Sequence, residues 1–132
     1  MEDQIQEIKS LEEIKLLVNT FYGKVREDDM LAEIFEARVQ GRWEVHLEKM
    51  YTFWQTVLLE EHTYRGRPFP PHMQLPIEKE HFECWLSLFH ETVDSLFTGE
   101  KANEAKWRAG KMAEMFYAKI TYIRNSSSRP IL

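Results

Sequence analysis

Four side chains stand out for the chemistry they could carry together: Tyr22, His46, His72 and Trp85. His72 lies in the run Pro70-Pro71-His72-Met73-Gln74-Leu75-Pro76, where prolines on both sides stiffen the backbone and fix where the imidazole stands. A neutral imidazole is a common metal ligand, and a rigid backbone suits a ring that must meet its target at a set angle. Other metal and nucleophile chemistry lacks support. The five histidines, at 46, 62, 72, 81 and 90, do not form a His-Glu-x-x-His helix, and the single cysteine, Cys84, cannot build a thiolate cluster. No glycine-rich phosphate loop follows a strand, and no Ser-His-Asp context can be picked out.

The elements that must position these residues read as helices. From Ser10 to about Glu27, Ser10 and Glu13 have capping-box spacing, and Leu11, Ile14, Val18, Phe21 and Val25 recur at intervals of three and four. Tyr22 follows Phe21 about 100° around that helix, at the edge of the apolar face. After the acidic break Asp28-Asp29, the run from Met30 to Phe35 reads as a brief helix or turn that brings Phe35 inward. From Gly41 to about Glu61 a second strong pattern places Trp43, Leu47, Met50, Trp54 and Val57 on one face, with His46 on the inward side. His62 to Pro76 is broken by Gly66 and four prolines, which leaves room for a turn or so of helix beginning at a proline. Periodicity returns from Glu78 to about Phe97 with Trp85 central to the stripe. A last helix from about Lys101 to Ile123 buries Ala105, Ala109, Met112, Phe116 and Ile120. No strand-like alternation occurs, so the expected class is all-α, one domain over residues 1–124 with a disordered tail over 125–132.

Composition bounds the function. With 132 residues, 43% hydrophobic and 30% charged, the chain can bury one sizeable core. Eight Phe, five Tyr and four Trp are many large rings for so small a core, and something flat and apolar could share the space. A net charge of -5 with dispersed basic residues argues against nucleic acid. MEDQIQEIKS has neither the basic start nor the apolar run of a signal peptide, and no stretch approaches a membrane span. One cysteine fits a reducing compartment, and the expected location is cytoplasmic.

The order Phe21-Tyr22, Phe35, Trp43-Glu44-Val45-His46, Phe53-Trp54, Pro70-Pro71-His72-Met73-Gln74-Leu75-Pro76 and Phe82-Glu83-Cys84-Trp85-Leu86-Ser87-Leu88-Phe89 resembles the third group of truncated haemoglobins, from about Phe21 through Phe116. The most specific block leads from His72 to Trp85. The absence of Gly-Gly agrees with that group, since the other two carry paired glycines. The resemblance implies a truncated globin fold, two helical pairs stacked two over two around a haem b. It makes His72 the proximal iron ligand, leaving the opposite face of the iron open. Tyr22 and Trp85 then match hydrogen-bond donors to a bound diatomic ligand, and His46 matches a distal histidine that is more a gate than a permanent donor. Phe35, Met50 and Phe53 match positions that pack on the macrocycle, and Lys49 or Arg65 is within reach of a propionate.

Two classes of function follow. The first is a haem protein that holds dioxygen tightly and serves redox or ligand detoxification: nitric oxide dioxygenation, or peroxide or oxygen chemistry. Its electrons come from a separate reductase, and the chain is a monomer or weak homo-oligomer. Within the haem class, an oxygen carrier or sensor stays open. The second is a cofactor-free helical interaction module whose Trp and Phe stripes form only a core or a docking face.

Overall fold

A computed structural model describes residues 5–61 and 77–127, and these described residues form five helices. They are α1 (Leu11–Glu27), α2 (Asp29–Val39), α3 (Trp43–Leu59), α4 (Lys79–Leu96) and α5 (Glu100–Ser127). The all-α expectation holds: among the described residues the only β-type pairing is an isolated bridge between Gln6 and Phe97. That bridge joins the N-terminal segment to the end of α4, through Gln6 N–H to the Leu96 carbonyl at 3.1 Å and Thr98 N–H to the Gln6 carbonyl at 2.9 Å. It carries Ile8 into the core.

Helix α1 begins where the sequence placed it. Ser10 is the N-cap, and the Glu13 carboxylate accepts from the Ser10 N–H at 2.8 Å, the Ser10 hydroxyl at 2.9 Å and the Lys9 N–H at 3.1 Å. Ile14, Leu17, Val18, Phe21 and Val25 are buried, as the three-and-four spacing predicts, and Tyr22 is buried beside them. Helix α2 is longer than the brief turn expected from Met30 to Phe35. The Asp28 carboxylate accepts from the backbone N–H groups of Met30 and Leu31, both at 2.9 Å, and this N-cap starts an eleven-residue helix. It ends at Gln40 and Gly41, whose φ values of 55° and 77° turn the chain sharply into α3.

Two helical layers result. α1 packs on α3, α4 packs on α5, and α1 crosses α4 to join the pairs, while α2 connects α1 to α3 and touches α4. Phe89 lies at the crossing. It is 1% exposed, stacked on Trp54 at 5.1 Å and on Trp85 at 5.8 Å, with the Phe21 ring edge-on at 5.2 Å. Ala102, Ala105 and Ala109 are buried along α5, small residues that let it lie close to its neighbours. α5 continues through Ser127, past the Ile123 expected from periodicity, so Asn125 is helical and 128–132 lie outside the described residues.

The segment from 62 to 76, which holds His72 and Arg65, also lies outside the described residues, but its two approaches are anchored. At the exit from α3, the Glu61 carboxylate accepts from Gln55 at 2.8 Å and its carbonyl accepts from the Thr56 hydroxyl at 3.1 Å. At the return, Ile77 is buried, and Arg124 donates to the Ile77 carbonyl at 2.8 Å and to Glu78 at 3.3 Å. Helix α4 is then capped by His81, whose Nδ1 accepts from the Glu78 N–H at 2.8 Å.

Because Phe89 is packed on three sides by rings, Phe89→Ala should leave a cavity the neighbours cannot close. We expect a loss of about 3–5 kcal/mol in urea unfolding, and a much smaller loss for Phe89→Leu.

Candidate functional site

Phe21 and Tyr22, consecutive on α1, point into two different surroundings. The Phe21 ring meets Trp85 at 5.5 Å, nearly perpendicular, and Phe89. The Tyr22 ring meets His46 at 4.9 Å and 89°, Phe35 at 5.7 Å and 69°, and Trp43 at 6.2 Å. Phe21 and Tyr22 touch each other edge to face at 4.8 Å. The structure thus gathers Tyr22, His46 and Phe35 into one aromatic cluster and sets Trp85 on the far side of Phe21. Three of the helices, α1, α2 and α3, supply the cluster, and α4 supplies Trp85.

Tyr22 is the most unusual member. Burial alone pushes its phenol well above the ordinary tyrosine value, so it keeps its proton at any physiological pH. No hydrogen bond from its hydroxyl is formed among the described residues. An enclosed hydroxyl that no described residue accepts from is more typical of a binding site than of a packed core. His46 is half-buried with its Nε2 sealed from solvent, and its ring stands edge-to-face on Tyr22, Trp43 and Phe35. Trp85 is half-buried, stacked on Phe89 at 10°, and its indole N–H likewise makes no hydrogen bond among the described residues.

The remaining predicted residues divide. Phe35, Met50 and Phe53 are half-buried and pack against the core, and Phe53 lies edge-on to Trp54 at 5.3 Å. Lys49 is exposed on α3. His72 and Arg65 lie outside the described residues. Sequence reading missed two polar ties near the cluster. The Cys84 thiol donates to Asp28 Oδ2 at 3.3 Å, and the Trp43 indole donates to both Glu36 oxygens at 2.8 and 3.1 Å. Only the i+7 spacing of Glu36 and Trp43 across a glycine turn could have hinted at the second.

The Asp28–Cys84 tie has mutual electrostatic effects. Burial raises the Asp28 carboxyl, but the Leu31 N–H, the Cys84 thiol and the Met30 N–H outweigh it and hold it below the ordinary 3.8. Burial, the bond to Asp28 and the Asp28 charge all push the thiol up, so Cys84 stays protonated and inert.

Comparison with known proteins accounts for this geometry. The bacterial-like globin family matches residues 6–120. The group 3 truncated hemoglobin of Campylobacter jejuni is 37% identical over 109 residues, which are 80% of this chain and 86% of that protein. The crystal structure of group III truncated hemoglobin from Campylobacter jejuni matches with a TM-score of 0.83 and 34% identity, over 89% of this chain and 95% of that one. The chain is a bacterial-like globin of the group III truncated type. The two-over-two helical arrangement is therefore the truncated globin fold, and membership in the globin family implies a haem cofactor and small-ligand binding. The residues present fit that cofactor: flat apolar contacts from Phe35, Met50 and Phe53, and two polar hydrogens, on Tyr22 and Trp85, that no acceptor among the described residues takes up. No described helix of this globin is long and apolar enough to cross a membrane.

Asp28 caps α2 and so helps place Phe35 and the cluster. Asp28→Ala should cost about 1 kcal/mol at neutral pH, read by guanidinium unfolding. Because the folded carboxyl is held low, its charge-dependent stabilisation is complete above the ordinary value of 3.8. It fades as pH falls from there through the lowered folded value. The gap between wild type and variant should narrow in acid and be constant from mild acid to neutrality.

Proposed function

We propose that this globin carries a haem b ligated by His72, binds dioxygen and other small diatomic ligands, and serves redox or ligand detoxification rather than bulk transport. Nitric oxide dioxygenation and peroxide or oxygen chemistry are the reactions in view. The observation that carries this reading is the buried Tyr22 phenol, a neutral donor without an acceptor of its own among the described residues. When bound, the haem supplies an iron centre that coordinates small ligands and exchanges electrons.

The chain's own residues do the rest. Tyr22 keeps its proton and offers it as a hydrogen bond where negative charge collects on a ligand, and Trp85 offers its indole N–H in the same way. In surroundings this apolar such bonds are little weakened by water. His46, enclosed by rings, acts as a gate to the ligand side. Phe35, Met50 and Phe53 would pack on the macrocycle, and Lys49 or Arg65 would pair with a propionate. The prolines that flank His72 in the sequence support this assignment, since they favour a stiff mount for a ligating ring. Two donors that hold a ligand tightly slow its escape, which suits chemistry on the ligand better than delivery. The electrons come from a separate reductase. Cytoplasmic residence belongs to the same reading, supported by a single cysteine that is free.

The purified protein should be red with a strong Soret band, and His72→Ala should lose stoichiometric haem. A colourless protein indifferent to added haemin overturns the proposal. Each charge-assisted bond is worth about 1.5–3 kcal/mol, so Tyr22→Phe and Trp85→Phe should each speed oxygen release about tenfold or more in stopped-flow measurements. Fast release by the wild-type protein without peroxide or nitric oxide turnover would turn the reading to a carrier or sensor.

A further inference from the structure

Trp43 is restrained far more than its place in the chain requires. It is the first residue of α3, so no preceding helical turn limits its rotamer, yet it is only 6% exposed. Its indole N–H is shared between both oxygens of Glu36, at 2.8 and 3.1 Å. The Arg26 guanidinium sits over its ring at 4.6 Å, and Phe35 stacks on it at 6.4 Å and 22°. Glu36 is on α2 and exposed, so its charge stays hydrated while one edge of the carboxylate holds the indole. The bond spans the turn through Gln40 and Gly41, both at positive φ, and fastens the end of α2 to the start of α3.

On its other side Trp43 meets His46. His46 follows three residues later on the same helix surface, with its ring perpendicular to Trp43 at 5.7 Å. Among the described residues, Tyr22 and Phe35 also set their rings against the imidazole. Tyr22 is embedded in the core by Phe21, whereas Trp43 stands at a helix start where side-chain contacts alone keep it in place. Of these described rings, the one best able to yield is the one that Glu36 holds.

We propose that Glu36 and Trp43 form a latch that keeps the His46 imidazole inward, both acting as positioning residues. The proposal rests on reading His46 as the gate to the ligand side. Glu36→Ala removes the acceptor, Trp43→Phe keeps a ring without the donor, and Glu36→Gln keeps one oxygen to accept.

The test is carbethoxylation of the purified protein by diethyl pyrocarbonate, with each histidine followed by mass spectrometry. His46 should react about tenfold faster in Glu36→Ala and in Trp43→Phe, and at an intermediate rate in Glu36→Gln. The double variant should react no faster than the quicker single one, because the two changes break one bond. His90, half-buried on α4 away from the latch, should keep its wild-type rate in all of them. Wild-type reactivity of His46 in every variant overturns the latch. So does an equal rise at His90, which would mark general loosening, or multiplicative effects in the double variant. Carbon monoxide association, measured on the same samples, reads the gate separately. It should quicken wherever His46 becomes reactive, and an unchanged rate with a reactive His46 would leave the latch standing and remove the gate.

Discussion

Two aromatic residues in succession on the buried face of α1 hold this molecule together and also give it a site. Phe21 and Tyr22 diverge by about 100° around α1, so one ring enters the packing of Trp85, Phe89 and Trp54 while the other enters the group of Phe35, Trp43 and His46. Their own edge-to-face contact at 4.8 Å joins the two groups into one packed body. The phenol oxygen cannot move toward water without pulling Phe21 out of the crossing of α1 and α4. Interiors are packed too closely to yield that way, and burying the ring itself outweighs the polar cost of the hydroxyl. A donor that no described residue accepts from is thus kept in place by the packing of the rings around it.

How far the sequence revealed this depended on the range of the forces involved. The start of α1 was legible because Ser10 and Glu13 interact over one turn, and its buried face was legible because periodicity reports the core side directly. Tyr22 could be placed at the edge of that face, and His46 and Trp85 on inward surfaces, for the same reason. The N-terminal attachment was not legible: Gln6 bonds to Leu96 and Thr98 through backbone groups, which leave no mark on side-chain pattern. The Asp28–Cys84 bond joins residues far apart in the chain, and Cys84 alone reads as a small hydrophobe. Trp43 was legible as an apolar position of α3, but not as a hydrogen-bond donor, because that role depends on the left-handed turn at Gln40 and Gly41.

The extent of α2 shows why its role was hardest to read. Its run of Met30, Leu31, Ile34 and Phe35 has no clear stripe, and only Leu31 and Val39 are buried along it. A helix with so little apolar face is weakly located by burial, since the hydrophobic effect has no preferred direction. Polar ties supply that direction instead. At its start, Asp28 caps the helix with one carboxylate oxygen and receives the α4 thiol on the other. Near its end, Glu36 receives the α3 indole on both oxygens. Hydrogen bonds constrain angle as well as distance, so α2 is fixed at two points to two different helices.

Phe35 lies between those two points, one residue before Glu36, and its ring faces Tyr22, Trp43 and His46. Shifting α2 by a fraction of a turn would move this wall of the aromatic cluster while leaving most of the apolar core untouched. The ties therefore act on the site more than on the fold: few kilocalories of stability depend on them, yet they set where a ring stands beside the buried phenol. In a domain with one core, separating the two in this way lets the ligand side be tuned through carboxylates at the ends of a short helix, without repacking the rings around Phe89.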